Sequence, residues 1–277
     1  MKLRKILHTL VAASLAVFSL NAFADKLEDI QKAGVVRIAV FDSNPPFGFV
    51  DAKSKKLNGL DIDVATYIAQ ELGVKLELVP TNPANRIPLL KSNKADLIAA
   101  NFTITKERAK EVSFSIPYFS TGQKFIARKG VLKTPEDVAA LKIGADKGTV
   151  MEVTMRNQYP NTTVVSFNDT PQAFAALRSE NVQAITQDDA KLIGLLAALP
   201  DKVRDEYEVS PFSITHEYQG VGMTLGETAL TEKINAILIK MEESGEALTI
   251  YNRWFGPETK SSMPRGEFKI GNAFELE

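Results

Sequence analysis

The stretch Asn85–Phe119, NRIPLLKSNKADLIAANFTITKERAKEVSFSIPYF, carries the reading of this chain. Arg86 to Ser92 reads as a short helix, and Asp96 leads into an apolar strand-like run, Leu97-Ile98-Ala99-Ala100. A polar turn follows, Asn101-Phe102-Thr103-Ile104-Thr105, and then a short helix start with Arg108 about one turn in. Such an order aims hydroxyls, backbone N–H groups, a positive helix end and a guanidinium at one point, which suits a small carboxylate.

Working outward, strands and helices alternate. Val35 to Val40 is a β-rich run bounded by Gly34 and the turn cluster Asp42-Ser43-Asn44-Pro45-Pro46. Asp61 to Leu72 places apolar residues at Ile62, Ala65, Ile68, Ala69 and Leu72, a helical spacing closed by Gly73. Lys75 to Val79 alternates as a strand, and Asp96 to Ala100 is the third. This βαβαβ order predicts a parallel sheet with helices on its faces.

The pattern then restarts. Gln123 to Arg128 is extended, and Thr134-Pro135-Glu136-Asp137 caps a helix through Leu141. Strands over Lys142–Ala145, Thr163–Phe167 and Ala184–Thr186 alternate with helices through Tyr159 and from Thr170 to Ser179. After an extended run over Gln219–Met223, Leu230–Glu243 and Ala247–Trp254 read as amphipathic helices. The fold class expected is α/β with two lobes, each a mostly parallel sheet flanked by helices. Residues 25–124 and 222–277 form the first lobe and 125–221 the second. Two strands, roughly 121–128 and 218–224, connect the lobes, and a double connection is a hinge that bends without letting them drift apart. One α/β lobe with a long insertion is the alternative.

The ends and the composition bound the setting. Lys2, Arg4 and Lys5, an apolar Ile6–Leu20 and the small residues of Ala22-Phe23-Ala24 read as a cleavable signal peptide over 1–24, with an uncleaved anchor as the alternative. Secretion into a Gram-negative periplasm is therefore expected. Removing 1–24 takes away three basic and no acidic residues, leaving 30 Lys and Arg against 34 Asp and Glu, a net charge of −4. A mildly acidic chain with its basic residues dispersed gives no reason to expect a nucleic-acid partner. There is no Cys, so core burial rather than disulfides must supply stability. No metal-ligand spacing, phosphate loop or Ser/His/Asp arrangement is evident, and no cofactor or metal is expected.

Ligands in open α/β sheets sit beyond the carboxyl ends of the strands. Here the loops 41–49, 80–86, 100–108, 146–151 and 187–189 leave such ends. Arg108 can pair bidentately with a carboxylate, or it can be a surface Arg paired with Glu107 or Glu111. Asp188, at a strand end in the other lobe, can meet an ammonium or cap the helix beginning at Ala190. Thr149, in Asp146-Lys147-Gly148-Thr149-Val150, opens a helix whose first N–H groups can bind a carboxylate.

"T-I-T-x-x-R" over Thr103–Arg108 followed by "F-S-x-P-Y" over Phe114–Tyr118 resembles the signature of periplasmic polar amino-acid-binding proteins that feed ABC importers. The resemblance runs from about residue 30 to 257 and closes on Ile250–Gly256. It implies a two-lobed periplasmic binding fold, a small amino-acid ligand, transient contact with an inner-membrane ABC permease, and a monomer. Residue by residue, it implies that Arg108 clamps the ligand α-carboxylate, and that Thr103 adds its N–H and hydroxyl. Asn101 sits where relatives present a carbonyl to the ligand amine, and Asp188 matches the acid that binds that amine. Asn44-Pro45-Pro46-Phe47 resembles the first-loop "x-P-P-F" element, with Asn44 standing where an aromatic wall is frequent and Phe47 equally readable as cleft or core.

The side-chain pocket gives conflicting signals. Arg86 resembles the Arg that faces a side-chain carboxylate in acidic-amino-acid binders, whereas Asp42 and Asp146 would favour a cationic or amide end. The ligand is left open. A periplasmic enzyme on the same scaffold, like the cyclohexadienyl dehydratases, is the second function expected, with Asp146 or Glu152 as its acid.

Overall fold

A computed structural model describes residues 26–274; the expected signal peptide, 1–24, lies outside the described residues. Two five-stranded sheets organise the chain. In the first, the order is Lys75–Thr81, Val35–Phe41, Leu97–Ile98, Gly222–Thr224, Val112–Phe114. Its first three strands are parallel, and Gly222–Thr224 runs antiparallel to both neighbours. In the second, the order is Thr163–Phe167, Lys142–Asp146, Ala184–Asp188, Gln123–Arg128, Tyr207–Val209. Again three parallel strands are followed by one antiparallel strand, here Gln123–Arg128. The architecture is the two-lobed, mixed α/β fold expected from the alternation.

Local sequence explains the elements. The helix Leu60–Leu72 buries Ile62, Val64, Ala65, Ile68, Ala69 and Leu72. It stops at Gly73, which takes φ 70° and returns its N–H to the carbonyls of Ala69 and Gln70, a conformation that glycine adopts without Cβ strain. This helix packs with Thr228–Glu243 and Glu246–Phe255 over one face of the first sheet, through Ile234, Ile237, Leu238, Ile250 and Phe255. Separate apolar clusters cover the two faces of the second sheet, one around Phe174, Leu177 and Leu192 and the other around Phe125, Ile143 and Met155.

Three details differ from the expectations. The strand over Asp96–Ala100 is only Leu97–Ile98. Asp96 keeps a backbone bond to the neighbouring strand, its N–H donating to the Arg37 carbonyl at 2.8 Å, while its carboxylate receives the Arg37 guanidinium at 2.6 and 3.1 Å and the Arg37 N–H at 2.9 Å. The helix expected around Arg108 is a single 3-10 turn, Arg108–Lys110, so no helix N-terminus points at the cleft there. The capped segment after Thr134 is also 3-10, over Pro135–Ala140, with the expected capping box in place.

The chain passes between the sheets through Phe119–Thr121 and Glu217–Gln219, which pair antiparallel as a separate two-stranded ribbon. Most of 121–128 belongs to the second sheet and Gly222–Thr224 to the first. Gly122 makes the change of sheet possible, since a Cβ there would stand 2.7 Å from the Thr215 carbonyl oxygen.

Candidate functional site

Strand ends of both sheets converge on a cavity of about 10 Å³, room for little more than one water with the walls this close. Its wall includes Arg86, Asn101, Thr103 and Arg108 from the first sheet and Thr149, Gln187, Asp188 and Lys191 from the second. Five residues singled out from the sequence as direct ligand contacts, Asn101, Thr103, Arg108, Thr149 and Asp188, are thus brought together, along with Arg86. Asp146 is fully buried directly behind them. Asn44 lines an adjoining gap, too small for a water, with Thr170 and Lys191. Two candidates lie elsewhere. Asp42 is exposed, and Phe47 is 0% exposed, packed edge-on against Phe119 with ring centroids 5.1 Å apart.

The turn after Leu97–Ile98 is built by its own side chains and by Asp61. Asn101 adopts φ 50°, a region that Asn tolerates better than most residues. The Asn101 N–H donates to Asp61 at 2.9 Å, and Tyr118 OH donates to the other carboxylate oxygen at 2.8 Å. The Arg108 N–H donates to Thr105 Oγ1 at 3.1 Å, which orients the 3-10 turn. The Arg108 guanidinium lies 4.9 Å above the Phe102 ring and donates to the carbonyls of Thr103 at 2.8 Å and Gly148 at 3.0 Å. Two of its five N–H groups are thus placed, and a fork remains for an acceptor in the cavity. Burial lowers its pKa to about 10, against the pull of Glu217 and Asp188, so it is cationic at neutral pH.

Arg86 is used differently. It is 2% exposed, and its guanidinium donates to the carbonyls of Pro83, Ala100, Asn101 and Gly148 at 2.8–3.2 Å. Four of five donors are taken by backbone, and its cation lies over Phe102 at 4.7 Å. Burial and the like charge of Arg108 both disfavour its charged form; the carbonyls and ring compensate. Arg86 therefore holds the loop and bridges to the second sheet.

On the far wall, Thr149 caps the helix Val150–Gln158, accepting from the Glu152 N–H. Its hydroxyl donates to the Asp146 carbonyl at 2.6 Å. Asp188 accepts from Gln219 Nε2 at 3.3 Å, and Asp189 accepts the Ala190 N–H, so the neighbouring acid takes the local backbone role. Burial and the nearby Glu217 push the Asp188 carboxyl up, while Lys191 and Arg86 pull it down. A cation placed between Asp188 and Glu217 would relieve that repulsion.

Sequence reasoning missed three residues. Lys191 is 2% exposed and reaches the cavity from the helix Asp189–Ala197. Glu217 accepts from Thr103 Oγ1 at 3.1 Å and Thr215 Oγ1 at 2.8 Å. Gln187 donates to Asp146 at 2.7 Å. Only the apolar spacing Ala190, Leu192, Leu195, Leu196 around Lys191 hinted that this lysine lies on an inward face.

The buried Asp61 makes a pH-dependent contribution to stability. Burial raises its pKa to about 7, opposed by the bonds from Tyr118 and Asn101. The folded state then holds a proton that the unfolded chain releases near pH 4, so stability from this group falls as pH rises from about 4 to 7. Asp61→Asn should remove that slope, gaining up to a few kcal/mol on the wild type across the interval in urea unfolding. Parallel pH profiles would show that Asp61 does not titrate there.

Comparison with known proteins places the chain in a family. The ABC transporter glutamine-binding protein GlnH of Bacillus subtilis is 34% identical over 213 residues, 75% of this chain and 76% of that protein. The crystal structure of a cysteine-binding protein from Campylobacter jejuni superposes with a TM-score of 0.78 at 30% identity, covering 86% of this chain and 97% of that one. The ancestral amino acid-binding protein AncCDT-1, described as a precursor of cyclohexadienyl dehydratase, gives 0.75 at 31% identity over 84% and 100%. A family model, bacterial extracellular solute-binding proteins, family 3, matches residues 36–257. With a two-sheet frame, a polar cavity between the sheets and a match over most of its length, the chain belongs to the bacterial extracellular solute-binding proteins of family 3.

Proposed function

We propose that the protein binds a polar L-amino acid between its lobes and delivers it from the periplasm to an ABC permease. The α-carboxylate sits on the Arg108 fork, with Thr103 and Thr149 beside it, and the α-ammonium sits on Asp188. The observation that carries this reading is that Arg108 and Asp188, from different sheets, line one buried cavity. Opposite charges on opposite walls match a zwitterion, and a ligand touching both walls favours the form in which they approach. Residues 25–124 and 222–277 act as one lobe and 125–221 as the other, with the ribbon of Phe119–Thr121 and Glu217–Gln219 as the hinge.

A thermal-shift screen against the amino acids, on protein unfolded and refolded to strip bound ligand, tests the reading. A ligand at 100 times its dissociation constant adds about 2.7 kcal/mol of stability. No shift with any amino acid would overturn it. The lyase reading draws support from the likeness to AncCDT-1. Of its two acids, Glu152 is bound by Gly148 N–H, Arg156 and Ser166, which hold its pKa down and make it a poor proton donor.

Closure has its own test at Gly194. This residue lies within the helix Asp189–Ala197, where an added Cβ would strike Pro46 Cδ and stand 2.8 Å from the Pro45 carbonyl oxygen of the opposite lobe. Gly194→Ala should improve the helix by up to ~1 kcal/mol. The same Cβ should cost about 1–3 kcal/mol where the lobes meet. The expected result is an unchanged or higher melting temperature without ligand and an affinity weakened about 5- to 150-fold. Unchanged affinity would mean that the ligand-bound form lacks this contact.

A further inference from the structure

The groups available to read a side chain are fewer than the cleft's charge suggests. Four of the five Arg86 donors are bound to backbone carbonyls, and Asp42 faces solvent. What remains is a buried pair at the cleft, Lys191 in its wall and Asp146 behind it. Lys191 Nζ lies 3.4 Å from Asp146 Oδ2 and 5.4 Å from the centre of the Phe41 ring, with side chains 2% and 1% exposed. Lys191 lines both the Arg108 cavity and the adjoining gap that contains Asn44 and Thr170.

The hydrogen bonding of this cluster is incomplete in a specific way. Asp146 Oδ2 accepts from Thr170 at 2.6 Å and Gln187 at 2.7 Å as well as from Lys191. Asp146 Oδ1 has no partner among the described residues, nor has either polar atom of the buried Asn44 amide. Leaving a buried donor or acceptor unmatched costs roughly 1–3 kcal/mol each. The cluster thus offers unused acceptors at Asp146 and Asn44, and donors at Lys191 and Asn44, while its two formal charges cancel.

Resting on the amino-acid-binding reading above, we infer that Lys191 and Asp146 form the side-chain-reading subsite, and that it selects a net-neutral side chain ending in a group with both a donor and an acceptor. A carboxamide has this chemistry: its oxygen accepts from the Lys191 ammonium and its NH₂ donates to Asp146 Oδ1. The second head group of a double-headed amino acid such as cystine has it too. A zwitterionic backbone already matches Arg108 and Asp188. A charged side chain would therefore add an uncompensated buried charge, repelled by Lys191 if cationic and by Asp146 if anionic.

The experiment is isothermal titration of the whole protein with glutamine, asparagine, cystine, glutamate, aspartate, lysine and arginine, repeated on Lys191→Met and Asp146→Asn. The wild type should bind glutamine, asparagine or cystine at least about 10-fold tighter than any charged amino acid. A preference for glutamine or asparagine identifies the amide, and one for cystine identifies the second head group. Lys191→Met leaves Asp146 unopposed and should move preference about 10-fold or more toward lysine and arginine. Asp146→Asn should move it as far toward glutamate and aspartate; if that variant does not fold, the Lys191→Met arm decides. Tight wild-type binding of a charged amino acid would overturn this inference and leave amino-acid binding standing. A preference unmoved in Lys191→Met would make the pair a structural strut, which also overturns it. Binding of no amino acid would overturn the functional reading itself.

Discussion

Arg108→Ala should abolish amino-acid binding while leaving the protein folded. The side chain stands on a 3-10 turn that keeps its own backbone bonds, with the Arg108 N–H on Thr105 Oγ1 and the Glu111 N–H on the Arg108 carbonyl. Arg108 is itself only partly buried, so truncation leaves the carbonyls of Thr103 and Gly148 within reach of water. What disappears is the cation that, in the proposed function, faces the ligand carboxylate, together with one of two guanidinium bridges to Gly148. Truncating one partner of a buried, hydrogen-bonded charge pair costs about 2–5 kcal/mol, or roughly 30- to 5,000-fold in affinity. Arg108→Lys should retain part of the binding, because an ammonium keeps the charge but loses the planar fork. Titration calorimetry with the best ligand of the screen reads both variants. An Arg108→Ala protein that binds as tightly as the wild type would remove Arg108 from the site.

Phe47→Ala should have the opposite signature. The ring is 0% exposed, edge-on to Phe119 at 5.1 Å and tilted against Phe255 at 5.8 Å, inside the cluster that joins the first sheet to its helices. Deleting such a ring removes its transfer free energy and leaves a cavity, typically about 3–5 kcal/mol. For a domain of this size that corresponds to a fall on the order of 10 °C in melting temperature. Affinity measured well below the lowered transition should stay within about threefold of the wild type, since the ring does not line the cavity. A normal melting temperature with weakened binding would instead make Phe47 a wall of the cleft, the other role that its "x-P-P-F" context allowed.

The alternation of strands and helices, the capping box at Thr134 and the stop at Gly73 were all legible in the chain, because each is a local matter of periodicity and backbone preference. The Arg108 turn was legible for the same reason: Thr103, Thr105 and Arg108 act within one stretch of six residues. Errors arose where a distant partner decides the outcome. Asp96, whose N–H still pairs with the Arg37 carbonyl, has both carboxylate oxygens fixed by Arg37 on the neighbouring strand, and the regular strand is only Leu97–Ile98. The run 121–128 looked like one crossing strand, but its change of sheet at Gly122 depends on the close approach of Thr215, more than ninety residues away.

Side-chain chemistry divides along the same line. Arg86 and Arg108 look equivalent in sequence, both near strand ends on polar loops. Tertiary contacts separate them, since the carbonyls of Pro83, Ala100, Asn101 and Gly148 absorb Arg86 and leave Arg108 with an open fork. Lys191 shows the converse: its apolar neighbours hint at an inward face, but only the fold brings it to Asp146. By itself the sequence determined the α/β class, the run of elements and the clustering of Thr103, Thr105 and Arg108 on one turn, because those follow from residues a few positions apart. The tertiary structure alone decided which charges face the cleft and which are spent on the backbone. That depends on which groups are desolvated together, and burial is a property of the packed chain.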